Sequence, residues 1–516
     1  MKHKGDDELD KKRTKTILTV SAAIAVLTAG WGILDNHSFA KAADFLMNLL
    51  KEHFSWLYLD VALFFVIFSV ALALSPLGKI RLGGDDEKPE HSLFSWFAML
   101  FGAGMGIGLV FWGISEPLSH YIAPMAGIAP KTPEAAAFSM RSCFMHWGIH
   151  PWACYAVMGL GLAYFQFRRK EKVLVSSIFK PLMGEKRVRG IPGMAIDIFT
   201  TVLTIIGVAT SFGMGCLQIC SGLNEMFGIP DTVVTWMIVI ALICVLYLST
   251  AISGVGKGIK YISNLNMVLF TGLMVCAFLI GPMGESCRYF LVGMKDYIIN
   301  FIPDSLRMSA QGDSSWIRNW RVFYWAWWLS WAPFVGVFIA RISKGRTIRE
   351  FIIGVILIPS VVSAVWFAVM GGMALHVTGN FSTEMLAEMV ANPQTALFHI
   401  FAEYKSGLLL SLAAIVLLVT FFVTSANSAT FVLAMLTSDG DLEPPNRLKV
   451  FWGILLAFLA LALILSGGIQ VIQTISIVIA FPYLFLLLGI CACVVKACMG
   501  ERKGMKETKC GGQQSI

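Results

Sequence analysis

Apolar positions in this chain run together in long blocks instead of forming periodic stripes. The blocks occupy 16–35, 56–77, 92–114, 136–166, 192–223, 231–252, 262–283, 320–342, 349–375, 405–437, 446–466 and 468–495. Each has roughly 20 residues or more, enough to cross a hydrocarbon core about 30 Å thick. The ~10-residue alternating segments of a membrane β-barrel are absent. The pattern predicts an all-α polytopic membrane protein with 12 transmembrane helices. One stretch behaves differently. Within 284–319, the run RYFLVGMKDYIINFI mixes apolar and polar positions at helical spacing, which predicts an amphipathic helix on the outer membrane surface. Five spans precede it from the third, and five follow it from the eighth. That layout suits two five-helix repeats inserted in opposite orientation. The chain then divides into a tail at 1–15, two peripheral helices at 16–91, a first repeat at 92–283, the amphipathic segment at 284–319, a second repeat at 320–495 and a tail at 496–516.

Composition narrows the class further. Of 516 residues, 57% are hydrophobic and 14% charged, against about 25% charged in soluble domains. Mean hydropathy is +0.72. A soluble multidomain protein, a disordered chain and a disulfide scaffold are excluded. The net charge of +8 does not indicate nucleic-acid binding, because the basic residues lie between the apolar blocks. Three quarters of the 40 Lys and Arg fall on the side of the termini. They cluster in 1–15, in Arg168–Arg189, and at Arg341, Lys344, Arg346 and Arg349. The positive-inside rule then puts both termini in the cytoplasm. The charged start lacks a small-residue cleavage site, so the first segment reads as retained. Most of the 11 cysteines sit in apolar blocks, and no CxxC pair occurs. Walker, HExxH and GxSxG motifs are absent, so the chain reads as no enzyme and as no ATP-driven pump by itself. A lipid-acting membrane enzyme would need a nucleophile or metal cluster at a membrane face. A channel would need a continuous polar pore.

Candidate chemistry lies at mid-depth. The third span reads FGAGMGIGLVFWGISEP, with Gly102, Gly104, Gly106 and Gly108 alternating. Each interior Gly costs a helix about 1 kcal/mol relative to Ala. The segment is expected to open locally, so that freed amides hold a carboxylate and freed carbonyls a cation. Close packing through GxxxG pairs is the competing reading. The eighth span reads FYWAWWLSWAPF. Tyr324, Trp327, Trp328 and Trp331 share a face roughly 100° wide, and Trp325 points elsewhere. The fourth span, HWGIHPWACY, puts Trp147, Trp152 and Tyr155 in one sector despite a kink expected at Pro151. An interfacial aromatic belt would suit Trp316 and Trp320 but not rings two turns deeper. Converging indoles make a cage for a quaternary ammonium group, at about 2 kcal/mol or more per desolvated contact. The tenth span holds FFVTSANS, where Thr424 and Ser425 either bond back to their own helix or ligate a small cation. The ionisable candidates are Asp60, Arg141, His146 and Asp197. Asp60 and Asp197 fall near span ends and are expected to face water. His146 reads as a hydrogen-bonded structural histidine, with a proton relay as the alternative.

These segments together resemble the betaine/choline/carnitine transporter family over about 16–500. The resemblance is carried by NWRVFYWAWW followed by PFVGVFIARISKGRTIREF, by GMGIG, by HWGIHPWACY and by SGVGKGIKYISNLNM. It implies a LeuT-like core of inverted five-helix repeats behind two peripheral helices. It also implies a homotrimer with the amphipathic helix at the protomer contact. Carried over by position, Trp147, Trp152, Tyr155, Trp327, Trp328 and Trp331 match the aromatic substrate box, and Gly104, Met105 and Gly106 the opened segment beside it. The main sodium site is similar to the Gly102, Met105 and Phe421 carbonyls with the Thr424 and Ser425 hydroxyls. A second sodium site would use Thr204 and Phe334, but Val208 stands where a further hydroxyl is needed and Thr210 is two residues off. Other departures are Arg321 in place of Thr, Asn427 in place of Asp, and short tails, which argue against osmotic regulation. Choline-selective members often carry an acid at the position of Gly108. The resemblance thus implies a secondary transporter taking up a trimethylammonium zwitterion, glycine betaine or a longer betaine such as carnitine, by alternating access. Na+ is the expected coupling ion, with no other cofactor. Sodium-independent carnitine/γ-butyrobetaine exchange and proton-coupled choline uptake are the alternatives.

Overall fold

The computed structural model describes residues 4–104, 106–252 and 256–511. Among them, ten helices are long and apolar enough to cross a membrane. Among the described residues, helices are the only extended elements, with two isolated β-bridges besides. The principal helices are α1 (Lys4–Leu34), α2 (Asn36–Leu74), α3 (Leu93–Gly104), α4 (Ile107–Ile122), α5 (Pro133–Trp147), α6 (Ile149–Ala163), α7 (Ile191–Phe227) and α8 (Val233–Ile252). They continue with α9 (Gly256–Ile280), α10 (Met283–Ile299), α11 (Phe301–Leu306), α12 (Val322–Arg341), α13 (Ile348–His376), α14 (Gly407–Leu436), α15 (Asn446–Leu465) and α16 (Gly468–Gly511). The expected third and fourth spans each fall on a pair of shorter helices, α3/α4 and α5/α6.

Local chemistry explains where these helices start and break. Thr132 caps α5 by accepting from the Ala135 amide, and Pro133 occupies the first turn, where its missing N–H costs nothing. Thr347 and Glu350 form a reciprocal capping box on α13. The interruption between α5 and α6 is a correction to the sequence reading. It falls at Gly148, not at Pro151. A Cβ on Gly148 would lie 2.3 Å from the Phe144 carbonyl oxygen, so only glycine fits that turn. Pro151 sits harmlessly in the first turn of α6. Helix α2 begins some twenty residues before the expected block, capped by Asp35, which accepts from the Ser38 amide.

The outer helices turn apolar faces outward. On α8, Val234, Ile238, Leu242 and Val245 are exposed, while Val239, Ile243 and Tyr247 are buried. A continuous exposed stripe of this kind is stable only against hydrocarbon or a partner. Helix α12 is the opposite case. Almost every side chain from Val322 to Ala340 is buried, which makes it the central helix of the bundle. The amphipathic segment forms α10 and α11. Its Gly293 packs on Met140 and Phe144 of α5, and Leu291, Ile298, Ile299 and Ile302 face outward.

Candidate functional site

Five of the six rings expected in the box, Trp147, Trp152, Tyr155, Trp327 and Trp328, lie together in the buried centre. Trp147 ends α5, and its ring centroid lies 4.8 Å from Trp328 and 5.9 Å from Trp327, edge to face in both cases. Trp327 and Trp328 stack at 4.8 Å. Tyr155 meets Trp328 at 6.0 Å and Trp152 at 5.5 Å. Tyr324 completes the group, 5.7 Å from Trp147. Hydrogen bonds fix two of the indoles. Trp328 Nε1 donates to the His146 carbonyl at 2.8 Å, and Trp147 Nε1 to Glu116 Oε2 at 2.8 Å. Trp331 stands apart. It donates to the Gly207 carbonyl and contacts Phe334. Trp325 points away, as expected, and stacks on His150 at 4.8 Å. The box rings pack directly on one another, so a trimethylammonium group can enter only if Trp147 or a neighbouring ring swings aside.

Gly108 packs directly on this cluster. A Cβ there would sit 2.9 Å from the Cη2 atoms of both Trp147 and Trp327. Gly106 lies at the break between α3 and α4, and a Cβ on it would be 3.6 Å from Ser425 Oγ. The opened part of the third span thus approaches Ser425 of α14. Gly102 and Gly104 lie in the last turn of α3, and Met105 lies outside the described residues. Thr424 Oγ1 donates to the Phe421 and Thr420 carbonyls at 3.1 Å each and accepts from Asn266 Nδ2. The Phe421 and Thr424 oxygens are therefore adjacent, with Ser425 next to them. Oxygen-only donors of this kind suit a hard cation. At the other proposed ion position, Thr204 bonds back to Thr200, Val208 is buried and apolar, and Thr210 is bonded to the Gly207 carbonyl. Asn427 donates to Thr250.

Sequence reasoning missed the hub of the site. Glu116 is completely buried and accepts from Trp147 and from the Tyr324 hydroxyl. Its other oxygen meets His146 Nδ1 at 2.7 Å and His120 Nε2 at 3.3 Å. The third span was expected to end at 114, so Glu116, at the tail of the FGAGMGIGLVFWGISEP run, and His120 fell past its expected end, whereas α4 continues to Ile122. The ligand atoms of Glu116, His120 and His146 all lie within 4.8 Å of one another. The 2.7 Å contact is a hydrogen bond, shorter than the edge of a metal's coordination shell.

Two of the other ionisable candidates, Asp197 and Arg141, hold helices together. Asp197 does not face water. It is buried and pairs with Arg13 of α1, which also donates to Ser176 at 3.0 Å. The partner lies so far away in sequence that no local pattern signals it. Asp60 is exposed. Arg141 bridges to Asp296 and Asp304 of α10 and α11. Arg321 donates to the Asp304 carbonyl and lies 5.3 Å over the Trp316 ring. Near the N-terminus, burial opposes the charge of Lys172, but the Asp439 and Asp10 carboxylates outweigh it and raise the pKa of the lysine.

Two cavities flank the aromatic box. One of about 610 Å³ is lined by Phe94, Asn266, Phe334, Phe421, Thr424 and Ser425. Another of about 360 Å³ is lined by Lys51, Trp112, Trp320, Phe323, Gln470 and Gln473. On α12 the first reaches Phe334 and the second Phe323, some 16 Å apart along a helix. The box residues lie between them.

Comparison with known proteins identifies the kind of chain this is. A family model described as BCCT, betaine/carnitine/choline family transporter, matches residues 16–503. The glycine betaine transporter OpuD of Bacillus subtilis (strain 168) is 42% identical over 502 residues, covering 96% of this chain and 97% of that protein. A probable glycine betaine transporter of Desulfitobacterium hafniense (strain Y51) is 44% identical over 495 residues, covering 95% and 98%. An ectoine/hydroxyectoine transporter of Virgibacillus pantothenticus is 37% identical over 493 residues, covering 95% and 98%.

Proposed function

We propose, from the premise that this chain belongs to the betaine/carnitine/choline family of transporters, that it takes up glycine betaine or a closely related trimethylammonium zwitterion together with Na+. It is a multi-pass membrane transporter and not an enzyme. The observation that carries the substrate reading is the buried meeting of Trp147, Tyr155, Tyr324, Trp327 and Trp328 between two cavities. A quaternary nitrogen has no N–H to donate, so π faces hold it better than carboxylates do. Among the described residues, Trp327 Nε1 and the Tyr155 hydroxyl are buried without a hydrogen-bond partner, which leaves them available to a substrate carboxylate. Gly108 leaves no room for an acid, which fits a zwitterion better than choline.

The same layout supports alternating access. The box is closed on itself, and parting its rings toward one cavity or the other would expose the site to one side at a time. The larger cavity opens beside Thr424, Ser425 and Phe421, which supports sodium entering or leaving there. The architecture consistent with this reading has twelve crossings, with α3/α4 and α5/α6 each forming one. The two repeats are inverted, both termini are in the cytoplasm, and α10 and α11 lie at the contact of a homotrimer in the inner membrane.

Uptake of labelled glycine betaine into proteoliposomes tests the function. An inward sodium gradient should drive accumulation. Sodium-independent uptake accelerated by internal substrate would replace symport with exchange. Absence of uptake for any quaternary amine would overturn the reading.

A further inference from the structure

Glu116 stands out among the groups that this mechanism leaves without a task. Its carboxylate is buried in the bundle centre, and among the described residues no Lys or Arg forms an ion pair with it. Arg321, the basic residue one turn before Tyr324, is bonded to the Asp304 carbonyl and packed on Trp316. Arg141 is paired with Asp296 and Asp304. Instead Glu116 is surrounded by hydrogen-bonding groups from three stretches of chain. These are His120 on its own helix, His146 and Trp147 at the end of α5, and Tyr324 on α12. Two of them, Trp147 and Tyr324, are rings of the box itself.

A buried carboxylate is costly unless its charge is compensated. Hydrogen bonds offset part of that cost, and a cation held on the far side of the bonded rings would offset more. The coupling has two physical routes. One is direct Coulomb attraction through a low-dielectric interior across the width of a ring. The other is polarisation, because an indole N–H or phenol O–H bonded to a carboxylate gains electron density on its π face, which strengthens a cation–π contact.

We propose that Glu116 is the indirect counter-charge of the transported cation. Acting through Trp147 and Tyr324, it makes the box prefer a positively charged head over a neutral head of the same shape. It touches the rings and not the substrate, so it is a positioning and specificity-determining residue. This deepens the betaine reading and rests on it.

The test compares two ligands of one shape on the purified full-length protein. One is glycine betaine, and the other is 3,3-dimethylbutanoate, in which carbon replaces the quaternary nitrogen. Both are measured by competition with labelled glycine betaine. Glu116→Gln keeps the size of the side chain and removes its charge. It should weaken glycine betaine roughly thirtyfold while leaving 3,3-dimethylbutanoate within about twofold. Equal weakening of both ligands would reduce Glu116 to a scaffold and overturn the proposal, as would unchanged affinity for both. Should Glu116→Gln fail to fold, Tyr324→Phe decides. It cuts one of the two ring links, and about a fivefold loss confined to the cationic ligand is expected. A loss shared by both ligands would again refute the proposal. Wild-type protein that binds no quaternary ammonium compound would instead sink the betaine reading itself, which separates the two failures.

Discussion

The aromatic box and the glycine–hydroxyl region meet in the same bundle centre but are built in opposite ways. Each box indole that makes a polar contact is tied to a fixed acceptor on another helix: Trp147 to Glu116, and Trp328 to the His146 carbonyl. Their faces are packed ring on ring. In the second region the hydroxyl of Thr424 bonds mainly back to its own helix, and the neighbouring backbone is broken at Gly106 beside a large cavity. The difference separates two tasks. The box has its contact surfaces ready and needs only to part. The oxygen cluster has its ligands adjacent but engaged with one another, so a cation must compete with bonds already made. Organic-cation recognition should therefore depend steeply on ring identity, and sodium dependence more gently on any one oxygen.

The sharpest way to break this contrast is to remove a box ring. Trp328 contacts Trp147, Tyr155, Tyr324 and Trp327. Trp328→Ala should lower affinity for glycine betaine by roughly thirtyfold or more, the loss of one desolvated cation–π contact. Trp328→Phe keeps a π face and loses only the bond to the His146 carbonyl, so a drop of about fivefold is expected. Equilibrium binding with labelled substrate checks both. If the two variants lose the same amount, the rings are packing material and the contrast with the ion region disappears.

A smaller effect is expected where the two regions touch. Gly108→Ala adds one methyl group 2.9 Å from two indole tips. Neither ring yields freely, because Trp147 is bonded to Glu116 and Trp327 is stacked between Phe323 and Trp328. The box must distort, and overpacking of this kind costs about 1–3 kcal/mol, so glycine betaine affinity should fall roughly tenfold with sodium dependence unchanged. A change in sodium dependence instead would place Gly108 with the ion region.

These outcomes bear on what the sequence alone could reveal. Ring type and helical period are local properties, so Trp147, Tyr155, Trp327 and Trp328 were legible before any coordinates. So was the apolar block pattern that yields the long helices. Glu116 and His120 were hidden by a boundary error of a few residues, because a helix that stays buried past its apolar block leaves no hydropathy signal. The Arg13–Asp197 pair was hidden for another reason: its partners come from helices that meet only after folding. The break at Gly148 was misplaced because proline is the louder signal, although proline in a first turn disturbs nothing. Trp331 shares the helix face of Trp327 and Trp328 yet looks toward Phe334, since a face of roughly 100° spans more than one neighbour.

The gentlest prediction falls on the oxygen cluster. Thr424→Ala removes one hydroxyl from the set formed with the Phe421 carbonyl and Ser425. Side-chain bonds back to i−3 and i−4 carbonyls add little to helix stability, so folding should be preserved. The Phe421 carbonyl keeps its place, and the remaining oxygens can still gather around a cation. The sodium concentration for half-maximal uptake should rise by about fivefold, in keeping with the loss of one ligand of several, each worth about 1 kcal/mol. Glycine betaine binding without sodium should stay the same, because Thr424 touches none of the box rings. Thr424→Ser retains the hydroxyl and should behave like the parent protein. Sodium titrations of uptake on the three proteins distinguish these outcomes. A Thr424→Ala variant with unaltered sodium dependence would move the ion away from α14. A variant that loses substrate affinity in step with sodium affinity would mean that the two regions act as one site.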